Sequence, residues 1–185
     1  MSDGRDWRVR AAVPDDVQHV AEVHVQAYRE TFRGMMPAEE LERITVELSG
    51  SGWRRVLAES RETLGLSLQV AVCEGRIVGL GTCCPQRSLQ LQRMGYDGEI
   101  GSLYVLPAFH GLGAGRAIIQ TLATRLQRDG FRALALWTLT RNLRARGFYE
   151  RLGGVTLLER EEPCAGGALA EVAYGWDDVS ALLPA

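Results

Sequence analysis

Three glycines in five positions, Gly111, Gly113 and Gly115, separate two segments of different periodicity. Before them, Gly98 to Leu106 reads as an apolar strand. After them, Gly113 to Asp129 places Ile118, Ile119, Leu122 and Leu126 on one helical side and Arg125 and Arg128 on the other, with Gly130 as a stop signal. A chain that leaves a strand, turns on glycines and enters a helix presents first-turn N–H groups without intrahelical acceptors. The helix dipole adds partial positive charge at that end. Glycine lets a ligand come close to the backbone. The turn therefore predicts a phosphate or diphosphate site. The competing reading is a left-handed turn with no ligand.

Two familiar phosphate motifs are excluded. A P-loop ends in Gly-Lys-Ser/Thr, and the chain has no lysine: its 21 basic residues are all arginine. The same absence removes Schiff-base lysine chemistry. A dinucleotide fingerprint needs a third glycine where Arg116 stands, and an acid further on where Phe131 to Ala135 has none.

The rest of the chain predicts one mixed α/β domain over residues 1–185, with helices on both faces of the sheet. A first strand covers Trp7 to Ala12. Pro14-Asp15-Asp16 starts a helix that runs to about Thr31. A second helix spans about Ala38 to Leu48, Ser49 to Gly52 reads as a linker, and Trp53 to Arg61 as a third helical piece. Ser67 to Glu74 and Arg76 to Pro85 form a hairpin about Glu74-Gly75. Arg87 to Gly95 reads as a polar connecting loop. Phe131 to Leu139 is apolar without alternation, as in a strand buried on both faces. Asn142 is a natural N-cap for a helix to Leu152. Val155 to Glu161 and Leu169 to Trp176 close the sheet as a hairpin, joined by a loop from Glu162 to Gly167.

A net charge of −2 gives no basic field for nucleic acid. No apolar run approaches the ~20 residues of a membrane span, and Met1 to Arg10 is polar, unlike a signal peptide. A cytoplasmic setting is expected. Cys73, Cys83, Cys84 and Cys164 lack metal spacing and read as reduced packing residues. His19, His24 and His110 likewise carry no metal pattern, and no metal is expected.

A second motif follows the fifth strand: Asn142-Leu143-Arg144-Ala145-Arg146-Gly147-Phe148-Tyr149-Glu150-Arg151-Leu152-Gly153. Taken with His110-Gly111-Leu112-Gly113-Ala114-Gly115, it resembles the GCN5-related N-acetyltransferase (GNAT) superfamily. That family carries Gln/Arg-x-x-Gly-x-Gly/Ala after its fourth strand and Asn-x-x-Ala-x-x-Phe-Tyr-x-x-x-Gly after its fifth. The element order agrees across essentially the whole chain. Two positions depart. His110 stands where Gln or Arg is usual, either to contact phosphate or to cap the turn. Gly154 stands where Phe usually follows the glycine.

The resemblance implies a mostly antiparallel sheet whose fourth and fifth strands splay into a cleft for acetyl-CoA. Residue by residue, it implies that His110 and the amides of Gly111, Leu112, Gly113, Ala114, Gly115 and Arg116 cradle the diphosphate. The backbone of Leu103, Tyr104 and Val105 would pair with the pantetheine arm, and Asn142 would touch that arm. The Val105 N–H would serve an oxyanion, Tyr149 would be general acid to the departing thiolate, and Glu99 general base to the amine. The acceptor pocket would draw on Tyr28, Phe32 and Trp53, with Met35 and Met36 near. Transfer of acetyl to a small-molecule primary amine is the leading expectation. The alternatives are a protein N-terminal acetyltransferase of ribosomal-protein type and a CoA-binding regulatory module without turnover. Homodimers are common in the family; the oligomeric state stays open.

Overall fold

A computed structural model describes residues 7–164 and 167–184. The strands are β1 (Trp7–Ala11), β2 (Ser67–Cys73), β3 (Arg76–Pro85), β4 (Gly98–Val105), β5 (Leu134–Leu139), β6 (Val155–Cys164) and β7 (Gly167–Trp176). They form one seven-stranded sheet in the order β1-β2-β3-β4-β5-β7-β6. All neighbours are antiparallel except β4 and β5. The helices are α1 (Val17–Phe32), α2 (Ala38–Arg43), α3 (Val46–Glu59), α4 (Leu89–Arg93), α5 (Ala114–Arg128) and α6 (Leu143–Arg151). None is long and apolar enough to cross a membrane.

The apolar stripe of α5 buries Ile118, Ile119, Leu122 and Leu126 on one sheet face, against Ala71, Val78, Ile100, Leu134 and Leu136. Burying such side chains is worth about 1.5–3 kcal/mol each. Gly81 lets the helix sit this close: a Cβ there would lie 2.5 Å from Ile118 Cγ2. On the opposite face, Val17, Val20 and Ala21 of α1 and Trp53 of α3 cover Leu68, Val70 and Leu80. The side chains of β5 alternate between the faces. Leu134 and Leu136 join the α5 side, whereas Ala135 and Trp137 join a small cluster with Leu91 of α4 and Tyr96.

The entry to α1 is fixed by charge. Arg10 grips both oxygens of Asp16 at 2.5 and 2.8 Å, and Asp16 also accepts from the Val13 N–H at 2.8 Å. The Glu74-Gly75 hairpin is as expected, both residues having positive φ (49° and 78°).

Three local expectations are corrected. Ser49 to Gly52 is no linker but lies inside α3, whose N-cap is Thr45. Ser49 and Gly50 are buried because the small residues let α3 press on α1; a Cβ on Gly50 would sit 3.8 Å from Ala21 Cβ. The loop from Arg87 to Gly95 contains the one-turn helix α4, capped by Ser88, with Leu91 buried. The closing hairpin strands extend to Cys164 and from Gly167, so the predicted loop from Glu162 to Gly167 shrinks; its Ala165 and Gly166 lie outside the described residues.

Candidate active site

β4 and β5 pair only at Gly98–Leu134 and Glu99–Ala135, then separate. At the parting, β4 carries a bulge. Thr82 faces Ser102 and Cys83 faces Ile100, leaving Gly101 unpaired. A bulge bends a strand and re-aims its side chains. Beyond it, Leu103 and Val105 pack on the α5 side and Tyr104 on the α1 side. The wedge between the strands opens into a cleft of about 710 Å³.

The free edge of β4 is chemically specific. The Leu106 N–H donates to Val78 O at 2.9 Å, and Gly79 lies opposite Val105. In an antiparallel ladder this makes Gly79–Val105 a non-bonded pair and turns the N–H and C=O of Val105 away from β3, toward the cleft. The same alternation turns those of Leu103 outward and those of Tyr104 inward. The expectation that Tyr104 offers its backbone to a ligand is corrected: its main chain serves β3, and its ring packs near His24 and Tyr28.

Gly111 and Gly113 adopt φ of 77° and 97°, the left-handed region that glycine enters without strain. A Cβ at either would project into open space. The backbone N–H groups from Gly111 to Arg116 have no acceptor among the described residues. Unpaired N–H groups of this kind at a helix start are suited to binding an anion. Gly111, Gly113, Gly115 and Arg116 line the cleft, with Arg144 and Arg151 beside them. Leu112 and Ala114 do not line it, and Ala114 is buried, so these two can offer backbone only.

His110 acts as a strut. Its Nε2–H donates to Val105 O at 2.8 Å, which leaves Nδ1 to accept from the Arg144 guanidinium. One neutral tautomer satisfies both bonds. The ring thus ties the end of β4, the glycine turn and the start of α6 together.

Asn142 caps α6 through Oδ1, which accepts from the Ala145 N–H at 3.2 Å. Tyr149 lines the cleft one turn further on yet is only 7% exposed, packed near Phe148, Tyr174 and Trp176. Burial pushes its phenol well above the ordinary range, so it stays protonated. Gly154 departs from the family pattern because Trp176 fills the space. A Cβ on Gly154 would lie 2.7 Å from Trp176 Cζ2, and the indole N–H is anchored on Leu152 O at 2.8 Å.

Glu99 lies at the mouth of the splay, with 6% of its side chain accessible. Arg87 donates to it from its backbone N–H (3.0 Å), Nε (3.2 Å) and Nη2 (2.5 Å). About one of the four acceptor sites of the carboxylate is left. The bulge shelters this pair: a Cβ on Gly101 would be 3.3 Å from Arg87 Nη2.

Tyr28 and Phe32 of α1 line the opposite wall with Met36. Their rings meet edge-on at 4.9 Å, and the Tyr28 hydroxyl donates to Met36 Sδ at 3.3 Å. Met35 lines a separate hollow of about 330 Å³ that shares Met36 and Leu169 with the main cleft. Trp53 is corrected. It is buried under α1, its indole N–H donating to His24 Nδ1 at 3.2 Å, and does not line the cleft. His24 is itself shut in by Tyr28, Trp53 and Tyr104, and burial lowers its pKa to about 4.

The structure also brings in residues with no local sequence signal. Trp137 of β5 and Arg160 and Glu171 of the β6–β7 pair line the cleft on the α1 side. The Arg160 guanidinium lies 4.1 Å over the Trp137 ring and pairs with Glu171 at 2.7 Å. Burial raises the thiols of Cys83 and Cys84 to about 12 and about 11, so neither is a thiolate nucleophile at neutral pH. Among the described residues, no cluster of three or more His, Cys, Asp or Glu is placed to hold a metal ion.

Comparison with known proteins agrees with this geometry. The chain is 32% identical over 175 residues to the uncharacterized N-acetyltransferase YuaI of Bacillus subtilis (strain 168), covering 94% of this chain and 95% of that one. The fold is shared with the PaiA N-acetyltransferase of Thermoplasma acidophilum, solved in complex with coenzyme A. Its TM-score is 0.70 at 16% identity, over 90% of this chain and 98% of that one. It is also shared with a ribosomal-protein-alanine N-acetyltransferase from Brucella melitensis, with a TM-score of 0.71 at 19% identity, over 92% and 99%. The acetyltransferase (GNAT) family model matches residues 17–154, and the chain belongs to the GNAT family of N-acetyltransferases.

Proposed function

We propose that the protein transfers an acetyl group from acetyl-CoA to the primary amine of a small molecule, by direct attack of the amine on the thioester. One observation carries the reading. Gly111, Gly113, Gly115 and Arg116, whose N–H groups are unpaired among the described residues, line the same cleft as Glu99 and Tyr149. A phosphate cradle, a carboxylate and a buried phenol are thereby gathered in one volume.

When bound, acetyl-CoA supplies the activated carbonyl and a thiolate leaving group. The residues of the cleft fit it in both charge and shape. The amides of Gly111 to Arg116 would hold the diphosphate, with Arg116, Arg144 and Arg151 adding charge. The outward N–H and C=O of Leu103 would pair with the pantetheine amides as an added strand. The Asn142 cap uses Oδ1, so its NH2 is the end offered to the same arm.

Val105 N–H faces the splay and is a preorganised donor to the oxyanion. Tyr149, kept protonated by burial, gives its proton to the departing sulfur. Glu99 takes a proton from the attacking nitrogen, directly or through a water on its remaining acceptor site. The rings of Tyr28 and Phe32 enclose the apolar part of the acceptor, as expected of a largely apolar ligand site.

The test is acetyl transfer to a panel of free amines and amino acids against peptides of several residues. Efficient turnover of free amines is expected. Turnover confined to peptides points to a protein N-terminal acetyltransferase instead. Coenzyme A binding with no transfer to any acceptor leaves a regulatory binding module.

A further inference from the structure

Two arginine–carboxylate pairs line the acceptor side of the cleft, and both are closed in the same way. Arg87 meets Glu99 through Nε and Nη2. Arg160 meets Glu171 through Nε at 2.8 Å and Nη2 at 2.7 Å. In each guanidinium one edge is held by protein. Neither Nη1 has a partner among the described residues. Arg160 is the more firmly placed. Its plane lies 4.1 Å over Trp137, Glu162 stands 3.6 Å from its Nε, and 39% of its side chain is accessible against 68% for Arg87.

We infer that the acceptor amine also carries a carboxylate, and that the unpartnered edge of Arg160 receives it. This rests on the small-molecule reading proposed above. The charges of the cleft favour it over the other common class of amine. A polyamine brings a second cation and needs a free carboxylate, but Arg87 bonds both oxygens of Glu99 and Arg160 holds Oε2 of Glu171. A zwitterion brings one charge of each sign and matches the two pairs, each of which lines the cleft with an arginine beside a carboxylate. Its carboxylate meets an arginine donor set already fixed by stacking and by Glu171, so little side-chain freedom is lost on binding. Its amine is left to the Glu99 side. The aromatic wall of Tyr28 and Phe32 receives an apolar side group.

The experiment compares matched acceptors: an α-amino acid, its carboxamide and its decarboxylated amine, each with wild type, Arg160→Gln and Arg160→Lys. A hydrogen bond to a charged group is worth enough that wild type should favour the amino acid by roughly 10- to 100-fold in kcat/KM. Arg160→Gln should erase that preference through KM for the amino acid. KM for acetyl-CoA and the rate with the decarboxylated amine should hold. Arg160→Lys should restore part of the preference. Wild-type rates blind to the carboxylate overturn the inference and leave free-amine transfer standing. An equal loss in Arg160→Gln on all three acceptors also overturns it, because the role is then structural. Turnover of peptides alone sinks the small-molecule reading and this inference with it.

Discussion

Tyr149→Phe separates chemistry from architecture. The ring is buried and packs near Tyr174 and Trp176 at centroid distances of 5.8 and 6.3 Å, and phenylalanine keeps that ring. No described group bonds the hydroxyl, so its removal orphans no protein donor or acceptor. The stability change should stay within the ±0.5 kcal/mol typical of substitutions without a named structural cost. For a chain of this size that is about 1–2 °C in Tm. Affinity for coenzyme A, read by calorimetry, should be unchanged within about twofold, on the order of 0.4 kcal/mol. Turnover should fall by about 10²–10⁴, the usual worth of a general acid. The assay must be run where chemistry limits the rate, which a single-turnover experiment secures. An unchanged single-turnover rate in a folded, coenzyme-binding variant removes Tyr149 from the mechanism. A lower Tm together with weaker binding assigns it a packing role instead.

Gly113→Glu should abolish coenzyme A binding in a folded protein. The Cβ points into open space at φ 97°, so the cost to the fold is about 1–3 kcal/mol of backbone strain, while the carboxylate repels phosphate; unchanged affinity by calorimetry refutes the cradle. Glu99→Gln should lower kcat/KM by about 10²–10⁴ with coenzyme A affinity unchanged; a rate equal to wild type makes Glu99 a structural partner of Arg87. His24 supplies a pH test of the packing. Its folded pKa of about 4 lies below the ordinary 6.5, so the neutral imidazole stabilises the fold fully above pH 6.5 and that contribution falls away as pH drops toward 4. The shift corresponds to about 3 kcal/mol, so wild type should lose more Tm than His24→Gln between pH 7 and pH 4; parallel curves refute the assignment.

What was legible in the sequence was punctuated locally. Gly111 and Gly113 mark a backbone conformation, and Asn142 marks a cap three residues before the amide it accepts from. Both act within a few residues, so both could be read directly. The misread segments depend on distant partners. Ser49 and Gly50 look like a linker until α1 lies on them, with Ser49 Oγ 2.8 Å from His24 Nδ1. Trp53 looks like a pocket aromatic until the same histidine takes its N–H. Arg87 sits in a polar, glutamine-rich stretch with no periodicity. Its meeting with Glu99 depends on the β3–β4 register that sets Cys84 opposite Glu99, and on Gln86, whose amide donates to Gly98 O at 3.3 Å. Arg160 and Glu171 face each other only because β6 and β7 pair at that position. The proposed coenzyme side of the cleft is therefore readable, because its motif is contiguous, and the proposed acceptor side is dispersed, because strand register assembles it.

Backbone hydrogen exchange with and without coenzyme A tests the central claim most directly. The N–H groups of Gly111 to Arg116 lack acceptors among the described residues, and those of Leu103 and Val105 face the splay. All should exchange quickly in the free protein and gain strong protection when coenzyme A binds, while Tyr104, already bonded within the sheet, should change little. Protection that arises elsewhere, with the glycine turn and the β4 edge unaffected, would contradict the assignment of this cleft.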